Sequence, residues 1–72
     1  MMSKPDHFQT AYNLGGDVAE AENHGKPLPL ERVPDGETLW RAVMGDAARA
    51  DWPTNTLPQL RAEFDRGYGD YW

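Results

Sequence analysis

Asp35-Gly36-Glu37-Thr38-Leu39-Trp40-Arg41-Ala42-Val43-Met44-Gly45-Asp46-Ala47 is the stretch that decides the fold. Its apolar residues Leu39, Trp40, Val43, Met44 and Ala47 recur at i, i+1, i+4, i+5 and i+8. That spacing paints one face of an α-helix and does not fit the alternation of a strand. Asp35 supplies an N-cap, and Glu37 precedes Arg41 by four residues, the favourable order for a helical ion pair. Pro53 ends the pattern, so the expected helix covers residues 36–51.

On the carboxyl side, Leu57, Leu60, Phe64 and Tyr68 continue at helical spacing. Thr56 and Gln59 have the spacing of a capping box, and Pro58 is tolerated in a first turn. A helix is expected over 57–67, with Gly67 and Gly69 weakening it and Tyr68-Gly69-Asp70-Tyr71-Trp72 left as an aromatic tail over 68–72. On the amino side, Pro27, Pro29 and Pro34 hold the residues before them extended. Residues 26–34 are therefore a stiff connector, with Leu28, Leu30 and Val33 turned alternately to the core. Before it, Phe8, Ala11, Tyr12, Gly15, Val18 and Ala19 form a narrow stripe that stops at Glu22. A helix over 4–23 is expected, started by Ser3 with Asp6 and ended by Gly25. Gly15-Gly16 either breaks this helix or marks a close approach by another backbone. The fold class is all-α: a single small three-helix domain, residues 1–72, with a proline-rich extended connector between helices 1 and 2.

A chain of 72 residues without cysteine has no disulfide or thiolate metal site to support its small core. Packing, self-association or a partner must do so. The net charge is −5, and neither half is basic. A phosphate-backbone binder shows a basic stripe, and this balance disfavours direct nucleic-acid binding. No apolar run approaches membrane-spanning length, and no signal peptide is visible at the amino terminus; a cytoplasmic location is expected.

No catalytic residue, cofactor or metal is expected. His7 and His24 fall at opposite ends of one helix and do not supply the three or four ligands of a zinc site. Ser3, the sole serine, is accounted for by capping, and Gly15-Gly16 has neither the preceding strand nor the following lysine of a phosphate loop. Asp17, Glu20 and Glu22 form an acidic cluster that is either a solvated face or a docking face. The aromatic residues carry more information. Trp52, Tyr68, Tyr71 and Trp72 are many for so small a chain, and Trp and Tyr dominate interface hot spots. The terminal rings are either a lid over the core or an anchor for a partner.

Ala11-Tyr12-Asn13-Leu14-Gly15 and Phe64-Asp65-Arg66-Gly67-Tyr68 resemble the aromatic-glycine helices of ribosome modulation factor. This acidic chain lacks the basic surface that such an RNA binder needs, so no functional residue is carried across. In size and composition the chain looks like small phage or mobile-element proteins that inhibit a host complex. The expected function is a non-enzymatic inhibitor or adaptor that docks on a larger protein or complex. Trp52, Tyr68, Tyr71 and Trp72 would be its anchors, with Asp17, Glu20 and Glu22 as polar contacts. The alternative is an accessory subunit or homo-oligomer that buries Gly15-Gly16 and the Leu39/Val43/Met44 face between chains. Nucleic-acid binding through Arg41, Arg49, Arg61 and Arg66 ranks last.

Overall fold

The computed structural model describes residues 6–72. Its elements are α1 (His7–His24), α2 (Gly36–Met44), a 3-10 turn at Arg49–Asp51 and α3 (Thr56–Tyr71). The all-α class is as the periodicity predicts. The Ser3 cap lies outside the described residues, and Asp6 does the capping instead: its carboxylate accepts the Phe8 and Gln9 amides at 2.9 and 3.2 Å. Gly25, at φ 66°, closes α1 in the left-handed conformation, its amide returning to Ala21 and Glu22.

The glycine pair does not break α1. It marks the place where α3 crosses with backbone against backbone. A Cβ on Gly15 would fall on the Phe64 carbonyl and lie 2.9 Å from the Tyr68 amide nitrogen. A Cβ on Gly67 would fall on the Tyr12 carbonyl and lie 3.1 Å from the Tyr12 Cα. Each helix thus fits its ridge into the other's missing side chain. Around the crossing, α1 buries Ala11, Val18 and Ala19, and α3 buries Thr56, Leu60 and Phe64.

α2 adds Leu39, Trp40, Val43 and Met44 to the same core. It ends at Met44, short of the expected residue 51, because Gly45 adopts φ 66° and ψ −129° and turns the chain away. The Trp40 indole then donates to the Ala47 carbonyl at 2.8 Å, fixing the return towards the 3-10 turn. Asp35 caps α2 through the Thr38 amide at 2.7 Å. That donation, with the Thr38 hydroxyl, holds the Asp35 carboxyl below its ordinary value.

Three further expectations are corrected. α3 runs through Gly67 and Gly69 to Tyr71, so residues 68–71 are helix and not a tail. Gly67 is held there by the crossing, which offsets its poor intrinsic helix propensity. The Thr56–Gln59 capping box does not form: Asn55 is the N-cap residue, without a side-chain hydrogen bond, and Thr56 is buried. In the connector only Leu30 reaches the core, while Leu28 and Val33 are exposed and Pro34 is buried. Bends at 29–30 and 32–33 destroy the strict alternation that would have turned all three apolar side chains inward. Arg61 donates to the Pro34 carbonyl and ties this segment to α3.

Adjacent glycines should respond oppositely to alanine. Gly15→Ala and Gly67→Ala place a methyl on backbone that cannot swing aside, and each should cost at least about 2 kcal/mol or prevent folding. Gly16→Ala meets only the Gly67 carbonyl, at 3.7 Å. It should be neutral or stabilise by up to about 1 kcal/mol through helix propensity. Denaturant melts of the three variants check the crossing; equal effects at Gly15 and Gly16 would refute it.

Candidate partner-binding site

The last turn of α3 meets the last two turns of α1, and their side chains interlock. Tyr68 is half-buried and packs on the core edge, while its hydroxyl donates to the Glu22 carboxylate. The Arg32 guanidinium lies 4.7 Å above the Tyr68 ring, bringing the connector onto this corner. Asn23 donates its side-chain amide to the Tyr71 hydroxyl at 3.2 Å. On the neighbouring flank, the Tyr12 hydroxyl donates to Asp70 at 2.6 Å, and Arg66 stacks 4.8 Å from the Tyr12 ring. Glu63 anchors that arginine through two hydrogen bonds.

Trp72 meets the Tyr68 and Tyr71 rings edge to face, with centroids 6.2 and 5.4 Å apart. It remains 63% exposed and Tyr71 38% exposed, so the rings touch one another more than they cover the core. Neither sequence expectation for these residues describes them fully. They are not a lid, since most of Trp72 faces outward. They are not a loose anchor either, since the hydroxyls of Tyr68 and Tyr71 are tied to α1.

Hydrogen bonding also tunes the phenols. Donation to Asp70 pushes the Tyr12 hydroxyl above its ordinary pKa, aided by loss of hydration and by the carboxylate's charge. Donation to Glu22 does the same for Tyr68, against the opposing pull of Arg32. The phenolate form would forfeit the donated bond and repel the adjacent anion.

The four expected aromatic anchors do not form one group. Tyr68, Tyr71 and Trp72 converge with Glu22, whereas Trp52 stacks edge-on against His7 at 5.2 Å. Asp17 and Glu20 are exposed on α1. Glu20 shares a helical stripe with Gly16 and Asn23, which face the end of α3, while Asp17 does not. Tyr12, Asn23, Arg32 and Asp70 also belong to the corner, and sequence reasoning missed them. Only Tyr12 carried a signal: an aromatic residue within an apolar stripe whose polar tip requires a partner.

The surfaces that self-association would have used lie inside the chain. Gly15 is buried against α3, and Leu39, Val43 and Met44 are core. The four arginines considered for nucleic acid are scattered among intramolecular partners. Arg41 pairs with Glu37, Arg66 with Glu63, Arg61 with Pro34, and Arg49 stacks on Trp40. Among the described residues, no group of three or more His, Cys, Asp or Glu side chains could hold a metal ion. Among them, too, no helix is long and apolar enough to cross a membrane. Comparisons with protein-family models, curated proteins and solved structures find no match to this chain.

The raised phenols give a signed pH dependence. In the unfolded chain tyrosine loses its proton near the ordinary value of 10.0; Tyr12 and Tyr68 hold theirs longer when folded. Their contribution to stability is complete below that value and is lost as pH rises through the folded pKa. Melts between about pH 9 and about pH 11 should therefore fall more steeply for the natural protein than for the Tyr12→Phe/Tyr68→Phe double variant. Parallel falls would show that these bonds are not linked to folding.

Proposed function

We propose that this chain is a non-enzymatic docking protein that binds a larger protein through Tyr71 and Trp72 at the end of α3. The observation that carries the reading is the exposed Trp72 ring, which directly follows the last helical residue of α3 and meets two tyrosine rings edge to face. Large amphipathic rings supply most of the energy at protein interfaces, and rings fixed before binding lose less conformational entropy on contact. The hydrogen bonds from Tyr68 to Glu22 and from Asn23 to Tyr71 provide that fixing. Tyr68 is therefore a positioning residue, and Tyr71 and Trp72 are the contacting ones. Trp52, stacked on His7, is outside this surface. Whether the docked chain inhibits its partner or adapts it to another depends on what the occupied surface of that partner does.

The test is retention from an extract of the source cells on immobilised full-length chain, with the natural sequence and Trp72→Ala compared side by side. Because Trp72 is mostly exposed, the variant should keep its helical circular dichroism and most of its melting temperature. Retention of the partner should fall at least about tenfold, as for a central aromatic anchor. Equal retention by both proteins overturns the reading. Sedimentation of the natural chain covers the remaining alternative: mass that rises with concentration, and stops rising in Trp72→Ala, would make the partner a second copy.

A further inference from the structure

Three sources of negative potential meet at the corner that holds Trp72. The carboxyl-terminal ends of α1 and α3 come within side-chain reach there, as the Asn23–Tyr71 bond shows. Helix carboxyl ends carry partial negative charge; at α1 His24 and Lys26 stand against it, whereas the last turn of α3 contains no basic residue. Carboxylates surround the same place: Glu22 on Tyr68, Asp70 on Tyr12, and Glu20 on the stripe between Gly16 and Asn23. Ring faces add their own negative quadrupole.

The chain already answers this potential with guanidinium groups. Arg32 lies over Tyr68 and Arg66 over Tyr12, at 4.7 and 4.8 Å from the ring centroids. Trp has the most electron-rich face of the natural side chains, and Trp72 is the most exposed ring of the corner. The two local arginines are engaged on tyrosines, and Arg66 is further held by Glu63. The electrostatic pattern is therefore repeated on two inner rings and left open on the outermost one.

We infer that the partner presents a basic protein segment, and that an arginine or lysine side chain from it stacks on Trp72 while Glu20 and the helix ends receive its charge. This rests on the docking role proposed above and specifies the chemistry of the partner. An acidic or purely apolar partner surface would leave the corner's negative charge uncompensated after removing its water. A polyanion would be repelled, consistent with the net charge of −5.

The experiment uses the full chain labelled with nitrogen-15 and follows the Trp72 indole resonance, assigned with Trp72→Leu. Three short peptides, blocked at both ends, serve as probes: one bearing arginine, one bearing glutamate in its place and one bearing leucine. The arginine peptide should shift the Trp72 indole saturably, and the other two should not. Glu20→Gln should weaken that binding about threefold, the scale of a single surface charge. Raising the salt from about 20 to about 200 mM should weaken it further, because exposed charges are screened. A leucine peptide that shifts the indole as strongly as the arginine peptide overturns the cationic choice while leaving docking through Trp72 intact. So does a Trp72 resonance that ignores all three probes while the partner from the extract still depends on Trp72. Failure of the docking role itself is read separately, as retention that is indifferent to Trp72→Ala.

Discussion

Gly15 of α1 and Gly67 of α3 bring two helices together at van der Waals distance between backbones, and nearly every other feature follows from that approach. With Cβ atoms in place, the axes would separate, and Phe64, Leu60 and Val18 would no longer close over one another. A small chain has few apolar side chains with which to build a core, so close approach compensates for the missing bulk. Dispersion contacts between backbones replace those that larger side chains would have made. The poor helix propensity of glycine is the opposing term, and it is smaller than the packing it permits.

α2 completes what the crossed pair leaves open. Its apolar face closes the core with Leu39, Trp40, Val43 and Met44, and the Trp40 indole finds its hydrogen-bond partner in the chain that follows. Among the described residues no buried side-chain polar atom lacks a partner. That matters in so small a molecule, where a single unpaired buried group would remove a large share of the stability. The exposed Glu37–Arg41 pair contributes little by comparison, since both side chains are mostly hydrated.

The candidate surface depends on the same crossing. By holding the ends of α1 and α3 together, it places Tyr68 beside Glu22 and Tyr71 beside Asn23, and these bonds orient the rings around Trp72. The last turn of a helix frays unless its side chains are tied to a neighbouring element. Here the restraint is supplied by polar groups from a helix some fifty positions earlier, with sequence separations of 46 and 48 residues.

The fold class was legible from residues 39–47 because amphipathic spacing is a local property that survives without knowledge of the neighbours. So were the connector, dictated by three prolines, and the end of α1 at Gly25, dictated by a left-handed turn that favours glycine. The close approach at Gly15 was legible as one of two readings. Choosing between them required Gly67, which read locally as a helix breaker and is in fact the reciprocal notch. The early end of α2 was hidden for a related reason: a spacing pattern that continues to Ala47 does not reveal a backbone turn at Gly45. Periodicity and propensity, which act between near neighbours, determined the helices and their apolar faces. The pairing of Tyr12 with Asp70, Glu22 with Tyr68 and Asn23 with Tyr71 was decided only by the tertiary structure, because contacts between distant positions depend on how helices cross, and no local rule encodes that angle.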